Sequence, residues 1–69
     1  MKVKFLPATL QGKAIHVVEE CAEVQVAIAK AMRFGLDNAH PETKESNRSA
    51  ILRELRDLRL AIARLEKIL

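Results

Sequence analysis

The sequence predicts an all-α fold: an antiparallel two-helix hairpin that assembles into a four-helix bundle by oligomerisation. Three observations carry this expectation. Only two Gly and two Pro occur in 69 residues, which leaves little scope for turns. Apolar residues recur at helical spacing through two long segments, separated by one polar stretch. The chain is also short for a free-standing core, and its single cysteine, Cys21, can form no internal bridge, so association is the natural remedy.

The chain reads as one domain, with an arm over 1–8, a first helix over 9–34, a loop over 35–46 and a second helix over 47–69. Pro7 ends the arm and Thr9 is a suitable N-cap. In the first helix Ala14, Val18, Cys21, Gln25, Ile28 and Met32 form the main stripe, widened by Val17, Val24 and Ala31. Ile15, Val26, Ala27 and Phe34 lie away from it, so this helix is expected to pack on more than one side. Cys21, within an apolar run, reads as a buried free thiol suited to a reducing cytosol.

Gly35 is a natural residue for stopping the helix, and the polar stretch after it carries loop signals. Ser46 or Asn47 can cap the second helix. There Ile51, Leu55, Leu58, Ile62, Leu65 and Leu69 form an a/d seam, with Arg53, Arg56, Arg64 and Lys67 over much of the opposite side. The loop is short enough to make the helices antiparallel neighbours, and pairing two hairpins covers the half-exposed seam. A homodimer or homotetramer is expected.

Composition excludes several classes. No stretch approaches the roughly 20 apolar residues of a membrane span, and Met1 to Pro7 lack the apolar core of a signal peptide. The expected location is therefore cytoplasmic. A net charge of +3 suits a polyanion, either nucleic acid or a phosphate-rich small molecule. Phe5 and Phe34 are the only aromatic residues, so no platform exists for stacking bases, and nucleic acid is disfavoured.

Two acidic motifs carry the candidate chemistry: Glu20-Cys21-Ala22-Glu23, preceded by Glu19, and Glu54-Leu55-Arg56-Asp57. Each sets two carboxylates at i and i+3, on one side of a helix. In an antiparallel pair, residues at one height have a nearly constant index sum. The loop ends then bring Glu23 level with Glu54, and Glu20 level with Asp57, to within about 6 Å or one turn. Either motif alone is also what a solvated helix face carries. Four carboxylates at one level would repel one another unless a cation sits among them. Hard oxygen ligands without His or Cys at that level favour Mg²⁺ or Mn²⁺ over zinc. His16, Lys30 and Phe34 share the broad side that bears Glu20 and Glu23. Lys30 and Arg33 could hold phosphates, or simply complement the helix dipole. His16 reads as a surface or interface histidine, and His40 as an ordinary loop residue.

These motifs resemble the MazG-like branch of the all-α nucleoside triphosphate pyrophosphohydrolases, marked by E-x-x-E on one helix and E-x-x-D on a later one. Lys30-Ala31-Met32-Arg33-Phe34-Gly35 is similar to the K-x-x-R-F-G segment of the small phage- and bacteria-type members. Asn47-Arg48, Ile51 and Glu54-Leu55-x-Asp57-Leu58 are similar to their N-R-x-x-L-x-x-E-L-x-D-L run. The resemblance covers about residues 14–60. It implies Glu20, Glu23, Glu54 and Asp57 as the metal-binding catalytic carboxylates, Mg²⁺ as cofactor, and Lys30, Arg33 and Asn47 as substrate contacts. The implied reaction is hydrolysis of a nucleotide between the α and β phosphates, giving a monophosphate and pyrophosphate. Arg56 stands where a Gly is common before the Asp, and the gap between the motifs is long. The larger members' further helices are not found before Leu69, which implies that a partner subunit completes the site or that activity is reduced. The alternative is a non-catalytic helical module for oligomerisation or interaction.

Overall fold

The structure is a computed structural model and describes residues 7–69. Most of the expected N-terminal arm, positions 1–6, lies outside the described residues. Two helices pack against each other, α1 (Leu10–Phe34) and α2 (Asn47–Glu66), and no strand forms among the described residues. The hairpin is antiparallel: Arg64, near the end of α2, donates from Nη2 to the carbonyl of Pro7, just before α1, at 3.0 Å.

Local chemistry sets the helix ends. The Thr9 hydroxyl accepts from the Gly12 amide at 3.0 Å, capping α1. At the other end the Gly35 amide donates to the Ala31 carbonyl at 2.8 Å. Gly35 has φ 100° and ψ 144°, a conformation that other residues rarely adopt, so the chain can leave α1 sharply there. Ser46 caps α2 by accepting from the Ser49 amide at 3.1 Å. The regular helix stops at Glu66, short of the expected Leu69. Ile68 and Leu69 instead donate to Leu65 and Glu66 in tighter turns.

The loop between the helices is held by backbone pairing. Ala39 and Ser46 form an isolated antiparallel bridge, the Asn47 amide donates to the Asn38 carbonyl, and the Arg48 amide donates to the Leu36 carbonyl. Asn47 is buried, and its side-chain amide donates to the Gly35 carbonyl at 2.9 Å. These bonds tie the first residues of α2 to the end of α1 and fix the rotation of one helix against the other.

That rotation differs from the sequence expectation. The face of α1 turned to α2 carries His16, Glu20, Val24 and Ala31, all buried, with Val17 and Ala27 partly covered. The expected main stripe faces outward: Val18 is 68% exposed, Met32 66% and Ile28 41%. Cys21, expected to be buried, is exposed for the same reason. On α2 the inner face includes Asn47, Ala50, Glu54, Asp57 and Ala61 as well as part of the expected seam, whose Ile62 and Leu69 are exposed. Small side chains explain the choice. Ala27, Ala31, Ala50 and Ala61 let the helices approach along this line, while Val18, Ile28 and Met32 remain outside. The buried apolar residues among those described are only Val24, Ala31 and Ala61.

Candidate active site

Glu20, Glu23 and Glu54 meet where the two helices face each other. One carboxylate oxygen from each lies within 4.8 Å of the other two. Their placement follows from the spacing of the two motifs. Glu20 and Glu23 are successive turns of α1, and the antiparallel register sets Glu54 opposite them. Glu20 is 1% exposed, the largest fully buried side chain described, whereas Glu23 is exposed and Glu54 half-buried. Asp57 is half-buried on the inner face of α2, three residues beyond Glu54, and is not part of the close trio. The trio joins Glu23 to Glu54, the pair the register sets level, and adds Glu20. Asp57 is a rise of about 4.5 Å from Glu54 along α2, in the direction of Glu20 in the antiparallel register.

The trio suits a small hard cation. In an octahedron with metal–oxygen distances of about 2.1 Å, ligand oxygens lie about 3 Å apart in cis and about 4.2 Å apart in trans. The separations in the trio reach at most 4.8 Å, so side-chain rotation over less than about 1 Å brings the oxygens to that spacing. All-oxygen donors match Mg²⁺ or Mn²⁺ rather than zinc.

His16 is nearer to this site than its sequence position suggests. Expected at the surface or at an interface with another chain, it is buried one turn before Glu20, with Nε2 3.2 Å from Glu20 Oε1. With the carboxylate ionised, the imidazole is the donor of this bond.

Beside the trio lies an open cavity of about 500 Å³. Ala22, Val26 and Ala27 supply apolar floor, and Glu23 and Glu54 form the side shared with the trio. Lys30 and Asn47, both expected substrate contacts, line it, as do Arg53 and the loop residues His40, Thr43 and Glu45. Arg33 does not. It lies at the last turn of α1, where the chain departs into the loop, with its guanidinium carbon 5.8 Å from the centroid of the Phe34 ring.

Arg53, expected on the side of α2 opposite the seam, is exposed and also lines the cavity. Its Nε and Nη2 donate to Glu45 Oε2 and Oε1 at 3.0 and 3.1 Å, a bidentate pair, and its Nη1 lies 3.5 Å from Glu54 Oε2. Hydrogen bonding from Arg53 holds the Glu45 carboxyl below its ordinary pKa. The same bond, together with the charges of Glu45, Glu54 and Asp57, raises that of Arg53. The pair fastens the loop to α2. No sequence signal linked Glu45 to Arg53, since they lie eight residues apart across a helix start.

His40 also does more than occupy the loop. Its Nδ1 accepts from the Glu42 and Thr43 amides at 3.1 and 3.3 Å, and its carbonyl accepts from the Lys44 amide at 2.9 Å. Lys44, at φ 65°, takes the left-handed conformation that closes this turn. The turn thereby presents Thr43 and Glu45 to the cavity.

Among the described residues no helix is long and apolar enough to cross a membrane. Comparison with protein-family models, with curated proteins and with solved structures finds no match to this chain.

Proposed function

We propose that this protein is a Mg²⁺-dependent nucleoside triphosphate pyrophosphohydrolase, converting a ribo- or deoxyribonucleoside triphosphate to the monophosphate and pyrophosphate. The observation that carries this reading is the approach of Glu20, Glu23 and Glu54 to within 4.8 Å beside a cavity lined by Lys30 and Arg53. Burying an ionised carboxylate costs several kcal/mol, so a fully buried Glu20 in so small a seam suits a site better than a scaffold. The motif order resembles that of the MazG-like enzymes, which supports the same assignment.

Glu20, Glu23 and Glu54 would hold a divalent cation, with Asp57 of α2 a further candidate ligand, and the bound cation would supply Lewis acidity to phosphate oxygens and water. Lys30, which lines the cavity, offers a positive charge to the phosphates. Asn47 serves first as the bond between the helix ends, through the Gly35 carbonyl. The apolar floor at Ala22, Val26 and Ala27 excludes water beneath the nucleotide.

Exposed Val18, Val26, Met32, Leu52 and Leu60 support assembly into a homodimer or homotetramer, with two hairpins closing a four-helix bundle. The substrates of such an enzyme are cytoplasmic, and so is its proposed location. A non-catalytic interaction module would share the outer faces but has no use for carboxylates converging on a cavity.

Purified protein is tested with nucleoside triphosphates and Mg²⁺ for pyrophosphate release. Turnover is expected with at least one of them, and Glu20→Gln or Glu54→Gln should abolish it while leaving helicity intact. Orthophosphate release, or wild-type rates in both variants, would remove this reading and leave the interaction module.

A further inference from the structure

We infer that His16 is a positioning residue for Glu20, holding one carboxylate oxygen so that the group presents a defined lone-pair direction to a divalent cation. The inference rests on the proposed metal site and adds a residue that the acidic motifs do not contain.

Both groups are inside the seam: His16 is 9% exposed and Glu20 1%. They stand one helical turn apart, and Nε2 lies 3.2 Å from Oε1. A carboxylate on a flexible glutamate has three side-chain torsions to order before it can ligate. A donor on one oxygen orders them in advance, and it polarises the group without taking a ligand position. Burial strengthens the bond, since neither partner exchanges it readily for water. When Glu20 is ionised, as a metal ligand would be, only an imidazole with a proton on Nε2 can donate to it. A purely structural role in the buried seam would have been met by an apolar side chain at position 16. An imidazole there needs a partner, and the partner it has is a candidate metal ligand.

The experiment titrates Mn²⁺ alone against wild type, His16→Leu and His16→Gln, following free Mn²⁺ by electron paramagnetic resonance, with circular dichroism to verify folding. Loss of a supporting hydrogen bond of this kind weakens metal binding about 10- to 100-fold, and that loss is expected for His16→Leu. The Gln amide can reach the same oxygen, so His16→Gln should recover affinity to within about threefold of wild type. Wild-type affinity in His16→Leu, or equal weakness in both variants, overturns the inference while leaving the metal site in place. If wild type itself binds no Mn²⁺ and releases no pyrophosphate, the proposed function fails and takes the inference with it. A second measurement needs no variant. Nitrogen chemical shifts of the His16 ring in Mg²⁺-saturated wild type should show a proton on Nε2, and a ring protonated only on Nδ1 overturns the inference.

Discussion

The seam between the helices and the outer surface of the hairpin have exchanged the chemistry usual for inside and outside. The seam buries His16, Glu20 and Asn47 and half-buries Glu54 and Asp57, while its buried apolar residues are Val24, Ala31 and Ala61. The outer surface exposes Val18, Val26, Ile28, Met32, Leu52 and Leu60. A hairpin selected to stand alone would turn the valines and isoleucines inward, because each buried side chain of that size contributes about 1.5–3 kcal/mol. The difference assigns separate tasks to the two surfaces. The seam brings three carboxylates within 4.8 Å of one another, and the outer faces carry the apolar residues that the proposed assembly would cover.

The strongest way to break this comparison is to charge the outer surface. Val18→Glu with Met32→Glu should remove at least about 3 kcal/mol of association energy, more than a hundredfold in the dimer dissociation constant. Light scattering behind size exclusion at micromolar concentration should fall from a multiple of 7.8 kDa toward 7.8 kDa, with loss of helicity. A variant that keeps the wild-type mass would show that these residues are not covered by another copy.

The seam contains polar groups of two kinds, and the next change separates them. Asn47 donates to the Gly35 carbonyl and holds the helix ends together, so Asn47→Ala should destabilise the protein by about 1–3 kcal/mol in thermal or urea unfolding. A stabilised Asn47→Ala would mean that its amide serves a ligand rather than the fold.

The smallest expected effect is at the loop. The Arg53–Glu45 pair is bidentate but its side chains are 48% and 29% exposed, so Arg53→Gln should cost only about 0.5–1 kcal/mol near pH 7. The sign with pH follows from Glu45, whose folded pKa lies below the ordinary value of 4.5. Its contribution is present above the unfolded pKa and is lost as pH falls through the folded one. The wild type and Arg53→Gln should therefore converge in stability as the pH drops below about 4.5. A difference unchanged into strong acid would assign the effect to packing of the arginine stem.

Much of this architecture was legible in the sequence where the determinant is local. Thr9, Gly35 and Ser46 sit at the helix ends because hydroxyl capping and a positive φ are properties of single residues. The meeting of Glu23 with Glu54 was legible because an antiparallel register depends only on where the loop begins and ends. Rotation was not legible. Apolar residues surround much of α1, so periodicity could not tell that Val17, Val24 and Ala31, the edge of the expected stripe, face α2 while its centre at Val18, Ile28 and Met32 faces outward. The choice depends on alanines that pack closely and on bonds from Asn47 to the loop. Cys21 and His16, both on α1, were misplaced by that one ambiguity.

The central claim is that the seam's carboxylates form a single divalent-cation site. Thermal unfolding of wild type and Glu54→Gln, with and without Mg²⁺ at one fixed protein concentration, tests it most directly. At an effective dielectric near 20, two like charges about 5 Å apart cost roughly 3 kcal/mol before screening, and the exposure of Glu23 reduces this further. Neutralising Glu54 should therefore raise the midpoint of the metal-free protein. Mg²⁺ binding only the folded state should stabilise wild type by about 2.7 kcal/mol per site at a hundred times its dissociation constant. A single site gives a clear Mg²⁺-induced rise in wild type and a much smaller one in Glu54→Gln; equal shifts in the two proteins, or none in either, would rule it out.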